Sequence, residues 1–268
     1  MLIETRRCGR LFAVRRGATR GLPLVFWPSL LTSGGMWEGV ARELEDRHPV
    51  VVIDPPGHGR SNPTTAPYSM DDSVEAGLAV LDALGLERCV WLGLSWGGMI
   101  GMRLALRAPE RLVGLALFDT NARAESRRKL PSYFAMATIA RRIGATPLIL
   151  RRLPAIYLSE KTRREQPILV ETFLEHVASM KPASVGHAVD AVIFTRKDLR
   201  PRLPEIRVPT LVVVGDDDVA TPLDRSEEIA RAIPGATLRR IADAGHLSAW
   251  ERPDAALRHL EPWLDGLR

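Results

Sequence analysis

Short apolar runs recur along the chain, and most are followed by a segment whose apolar positions repeat every three or four residues. Pro23-Leu24-Val25-Phe26-Trp27 is apolar throughout, as a strand covered on both faces requires. Ser33-Gly34-Gly35 then leads into a helical pattern over Met36–Leu44. Val50–Ile53 is β-branched at every position and ends in the turn formers Asp54-Pro55-Pro56-Gly57-His58-Gly59-Arg60-Ser61. A helix is predicted from Val74 to Leu84, entered at Asp71-Asp72 and stopped by Gly85. Cys89–Leu92 predicts a strand, Met99–Leu106 a helix and Arg111–Phe118 another strand, while Leu2–Thr5 and Leu11–Val14 predict a hairpin ahead of them all. Repeated strand–helix units imply an α/β fold, a mostly parallel sheet with helices on both faces.

From Ala122 to Asp198 the pattern changes. Helix-like segments are broken by Pro131, Pro147, Pro154, Pro167 and Pro182, and they carry Tyr133, Phe134, Tyr157, Phe173, Met180 and Phe194. This predicts a helical cap folded over the sheet, with most of these side chains forming its own core and one or two lining a cavity beneath it. Strand–helix order resumes with Pro209–Gly215, a helix from Pro222 to Ala232, a strand over Thr237–Ile241 and a last helix from Pro253 to Leu264. The expected division is a core of residues 1–121 and 199–268 with a cap of residues 122–198 inserted between them.

Composition narrows the class. The 268 residues are 46% hydrophobic and 26% charged, and no apolar run approaches the ~20 residues that span a bilayer. The N-terminus lacks the apolar stretch of a signal peptide, so a cytoplasmic location and no membrane partner are expected. Cys8 and Cys89 are expected to be reduced thiols with no metal between them. The net charge of +5 comes from scattered arginine pairs and not from one basic block, which argues against nucleic acid as a partner. No cofactor is expected.

The candidate chemistry begins at Gly93-Leu94-Ser95-Trp96-Gly97-Gly98, placed where the strand ending at Leu92 meets the helix from Met99. Gly-x-Ser-x-Gly in that context is a nucleophile elbow, which exposes a serine hydroxyl at the edge of a sheet. Ser95 needs a base. Of six histidines, His246 in Ala244-Gly245-His246 follows the last predicted strand, where loops gather on the same edge as the elbow; His58 and His187 are the alternatives. An acid should orient the imidazole, and Asp216, Asp217 and Asp218 follow the strand that ends at Val214, with Asp119 as a second origin. An oxyanion would take one backbone N–H from Trp96 and another from Ser29, Leu30 or Leu31, since Pro28 has none.

With these parts in the order Ser, Asp, His, the chain resembles the α/β-hydrolase superfamily, specifically its single-domain members with a helical cap. The resemblance rests on Gly93–Gly97, Asp54–Ser61, Gly215-x-x-Asp218 and Gly245-His246. It implies an eight-stranded, mainly parallel sheet with the cap after the sixth strand, and it selects Asp218 as the acid. Asp218-Val219-Ala220-Thr221-Pro222 and Pro28-Ser29-Leu30-Leu31 resemble a subgroup, the 3-oxoadipate enol-lactonases. That likeness assigns the second oxyanion donor to Leu30, with Leu31 standing where the subgroup has glycine.

The expected function is hydrolysis of a small-molecule carboxylic ester or lactone through an acyl-enzyme, with catalytic residues Ser95, His246 and Asp218. Carbon–carbon bond hydrolysis, perhydrolysis, acyl transfer and receptor-like ligand sensing would use the same triad. A dehalogenase or epoxide hydrolase would instead carry aspartate at the elbow. Trp27, Ser29, Tyr133, Phe134, Val219 and Leu247 are the expected pocket residues, whereas Trp37 and Met99 are expected to pack their helices. An anionic substrate would need a buried cation, for which Arg141, Arg142, Arg151, Arg152 and Arg196 are the cap's candidates.

Overall fold

The computed structural model describes residues 1–126, 128 and 130–267. In chain order the elements are β1 (Leu2–Glu4), β2 (Arg10–Gly17), β3 (Leu24–Trp27), α1 (Glu38–Leu44), β4 (Pro49–Ile53), α2 (Met70–Ala83), β5 (Cys89–Leu94), α3 (Trp96–Arg107) and β6 (Leu112–Phe118). Helices α4 (Leu130–Ile143), α5 (Pro147–Tyr157), α6 (Glu160–Glu165), α7 (Pro167–Ser179) and α8 (Pro182–Val189) follow. The chain closes with β7 (Thr210–Gly215), α9 (Leu223–Ala232), β8 (Thr237–Ile241), α10 (Ser248–Glu251) and α11 (Pro253–Asp265).

Eight strands form one sheet in the order β1-β2-β4-β3-β5-β6-β7-β8. β2 pairs antiparallel with β1 and β4, and every other pair is parallel. The α/β architecture is thus as the hydrophobic pattern predicts. The direction of winding reverses at β3, leaving a crevice beyond the carboxyl ends of β3 and β5, where open α/β sheets place ligands.

Alternation along the strands builds two cores. Val25 and Trp27 join Val51, Ile53 and Trp91 beneath α2 and α3, whereas Leu24 and Phe26 join Val50, Val52 and Leu92 beneath α1 and α11. Two boundaries depart from the periodicity. α2 starts at Met70 because Ser69 Oγ accepts the Asp72 amide while the Asp72 carboxylate accepts the Ser69 amide, a capping box. β5 runs on to Leu94, leaving Ser95 alone between strand and helix.

Between β6 and β7 the described elements are helical. α4 packs on α8 and α5 on α7. A π-helical turn at Asp190–Phe194 follows α8, closed by the Thr195 amide donating to Asp190 O at 2.8 Å. No described helix is long and apolar enough to cross a membrane.

Candidate active site

Ser95 sits at φ 52° and ψ −104°. A non-glycine residue held there stores ~1–3 kcal/mol of strain, so its surroundings must impose it. The flanking glycines allow the close approach that does so. A Cβ on Gly93 would lie 2.2 Å from the Gly97 carbonyl carbon, and one on Gly97 would lie 2.1 Å from Trp27 O. The Ser95 amide donates to Phe118 O at 2.8 Å, and the Thr120 hydroxyl donates to Ser95 O at 2.7 Å. The end of β6 and the loop that follows it thereby hold the strained residue from one side.

His246 lies between β8 and α10. Its Nδ1 donates to the Asp218 carboxylate, 3.0 Å from Oδ2 and 3.1 Å from Oδ1. The same carboxylate accepts the Ala220 and Thr221 amides at 2.8 and 2.9 Å and the Thr221 hydroxyl at 2.7 Å. With its proton on Nδ1, the neutral ring has a free lone pair at Nε2. Burial opposes charge on the imidazole, but the Asp218 charge and hydrogen bond outweigh it and raise the pKa above the ordinary value. Burial also opposes ionisation of Asp218, yet His246 and the Thr221 donors hold that carboxyl below its usual range.

The competing acids and bases separate by environment. Asp216 is exposed and paired with Arg240 at 2.6 Å, and Asp217 is exposed, so of the three consecutive acids only Asp218 turns inward. Asp119 is buried, but it accepts from the Gly215 amide at 2.8 Å and the Ser248 hydroxyl at 2.5 Å, bracing two loops. Burial and the nearby Asp218 push its carboxyl well up. His187 engages the Thr64 hydroxyl at 2.9 Å. His58 donates from Nδ1 to Pro56 O at 2.9 Å and accepts the Leu31 amide at Nε2, 3.2 Å away. Burial drives its pKa down to about 3, so it stays neutral and acts as an acceptor.

That Leu31 amide belongs to the loop after β3. Leu31 takes φ 63°, a backbone region that favours glycine. With Leu31 N–H occupied by His58, the neighbouring Leu30 N–H has no protein acceptor among the described residues, and neither has Trp96 N–H at the first position of α3. Both therefore suit an incoming oxyanion.

Ser95, His246, Leu30 and Leu31 line one cavity of about 170 Å³ together with residues of α4, α5, α7 and α8. No direct hydrogen bond joins the Ser95 and His246 side chains; such contacts tighten when substrate is bound. Tyr133 and Ala137, one turn apart on α4, also line it. The other expected pocket residues do not. Trp27, the last residue of β3, points to the α2–α3 side and packs on Trp91 and Trp96 at centroid distances of 5.8 and 5.9 Å. Ser29 is buried in the turn, where its carbonyl accepts the Thr32 hydroxyl. Leu247 is buried on the α1–α11 side. Phe134 and Val219 are each 60% exposed, Phe134 lying one position round the helix from Tyr133. Met99, expected only to pack, is buried and also lines the cavity. Of the candidate cap arginines, Arg196 lines the cavity, while Arg141 is tied to Asp190 outside it.

Glu251 had no sequence signal beyond its place near His246. It is 2% exposed, and its two oxygens accept the Gly245 and Ser159 amides, each at 2.8 Å. It thereby fastens the His246 loop to the end of α5. Tyr157, whose carbonyl accepts the Leu247 amide at 3.2 Å, sets its ring edge-on to the imidazole at 5.5 Å.

Comparison with known proteins agrees with this fold. The profile of the family described as alpha/beta hydrolase fold matches residues 23–253. A 3-oxoadipate enol-lactonase of Acinetobacter baylyi is 28% identical over 232 residues, 87% of this chain and 84% of that protein. A thermophilic esterase from Thermogutta terrifontis superposes with a TM-score of 0.92 at 30% identity, covering 100% of this chain and 98% of its own. The enol-lactonase of Burkholderia xenovorans LB400 gives 0.88 at 29% identity, with 96% of each chain covered.

Proposed function

The chain belongs to the α/β-hydrolase family, and on that premise we propose that it cleaves a carboxylic ester or lactone through an acyl-enzyme. Ser95 Oγ attacks the carbonyl carbon as its proton passes to His246 Nε2, and the carbonyl oxygen becomes an oxyanion held by Leu30 N–H and Trp96 N–H. The tetrahedral species collapses, the carbon–oxygen bond breaks, and the imidazolium returns the proton to the leaving alcohol. A water molecule then gives its proton to His246 and attacks the acyl carbon, releasing the acid and restoring Ser95. Asp218 holds the ring in one tautomer and stabilises its charged form throughout. Residues 122–198 act as the cap that shields the acyl-enzyme, over a core of residues 1–121 and 199–268.

The observation that carries this reading is the strained Ser95 sharing one cavity with a buried His246 whose Nδ1 is bonded to Asp218. The esterase and lactonase relatives support the bond type. The test is hydrolysis of a short-chain 4-nitrophenyl ester by the protein and by Ser95→Ala. The variant should lose nearly all turnover; retained turnover would overturn the assignment.

A further inference from the structure

The cavity is lined by one guanidinium and one carboxyl side chain among the described residues, and they face each other. Arg196 and Glu125 line it together with Ser95 and His246, and their side chains are 4% and 14% exposed. Arg196 Nη2 donates to Glu125 Oε2 at 3.0 Å, Nε donates to Arg123 O at 2.9 Å, and Nη1 donates to Val192 O. The π-helical turn that ends at Phe194 supports this placement, since Val192 and Ile193 also line the cavity. Each of the three guanidinium nitrogens thus makes a hydrogen bond within the protein, and its charge is balanced by a carboxylate of the protein's own. Most of the remaining wall is aliphatic, including Ile149, Leu153, Val177 and Val185.

From this arrangement we infer that Glu125 is a specificity-determining residue, which reserves the cavity for ester or lactone substrates whose chain is uncharged. A substrate carboxylate entering here would meet a cation already paired to Glu125, and so a second carboxylate beside it. It would have to displace Glu125 or be buried against like charge. Without Glu125, the edge of Arg196 now paired to it would be a ready receptor for a carboxylate. The inference rests on the ester-hydrolase reading above, and it separates this site from one built for a dicarboxylate-derived lactone.

The experiment compares 4-nitrophenyl hexanoate with the mono-4-nitrophenyl ester of adipic acid, which has the same chain length and ends in a carboxylate. The protein should prefer the uncharged ester by about tenfold or more in kcat/KM, and Glu125→Gln should shrink that preference by about tenfold, through KM of the half-ester. Arg196→Met, which leaves Glu125 unpaired, should widen it. Equal use of both esters by the protein would overturn the inference. So would an unchanged ratio in a Glu125→Gln protein that still turns over the hexanoate. If neither ester is cleaved, the hydrolase reading fails first, and calorimetric binding of hexanamide against adipamate decides the charge selection separately. Tighter hexanamide binding, narrowed in Glu125→Gln, upholds it; equal binding overturns it.

Discussion

Replacing His58 by leucine tests how the loop after β3 is held. The ring is 1% exposed and makes two hydrogen bonds, donating to Pro56 O at 2.9 Å and accepting Leu31 N–H at 3.2 Å. Leucine fills similar space beside Trp96 but leaves both groups without a partner. An orphaned buried polar group costs ~1–3 kcal/mol, so the pair predicts a loss of ~2–6 kcal/mol, or about 4–24 °C in Tm for a chain of this size. Leu31 at φ 63° is also released from the contact that holds it there, and Leu30 N–H loses its fixed aim. Losing one oxyanion donor costs up to ~10²–10³ in kcat, with KM changing far less because the donor is engaged chiefly in the transition state.

His58→Leu should also change the response to acid. The folded pKa is depressed from 6.5 to about 3, so between those values the unfolded chain binds a proton that the folded chain does not. Stability from this group is therefore complete above the ordinary value and is lost as pH falls, by ~1.4 kcal/mol per unit. The assay is kcat and KM for a chromogenic ester at neutral pH, with thermal melts at several pH values down to 4.5. A folded His58→Leu protein with kcat unchanged would refute the role given to the loop. A melt whose acid slope matches that of the parent would refute the buried neutral ring.

Three further outcomes are expected. Asp218→Asn should lower kcat by ~10⁴ with the fold intact, because the amide can stabilise neither the tautomer nor the imidazolium; circular dichroism and ester kinetics check it. The kcat/KM profile should rise with pH and reach half its maximum above 6.5, since His246 must be neutral to accept a proton and Asp218 raises its pKa. The same raised value means that its contribution to stability is present below 6.5 and is lost as pH climbs through the folded pKa, which melts across that window read directly. Gly97→Ala should abolish soluble expression or lower Tm by more than about 10 °C, as its Cβ would sit 2.1 Å from Trp27 O, whereas Gly35→Ala, with its nearest contact at 3.5 Å, should be near neutral.

Much of this was legible along the chain because strands and elbows announce themselves locally. Apolar runs with glycine or proline at their ends marked the central strands, and Gly-x-Ser-x-Gly between strand and helix marked the strained serine. Asp218 was not separable from Asp216 and Asp217 by position, since what distinguishes it is which carboxylate the turn rotates toward Thr221 and His246. Alternation along β3 sends Trp27 to the face of Val25, away from the cavity, and only the register of the whole sheet shows which face that is. The helical segment between β6 and β7 is least legible. Whether α4 offers Tyr133 or Phe134 to the cavity depends on the angle at which the helix lies on the core, and Glu125–Arg196 joins residues far apart in sequence.

The most direct test of the account is rapid-quench kinetics with 4-nitrophenyl butyrate, followed by mass spectrometry of the peptide that carries Ser95. A burst of nitrophenol, with a butyryl adduct on Ser95 that is absent from Ser95→Ala, is the predicted result. An adduct on another residue, or undiminished turnover by Ser95→Ala, would contradict it.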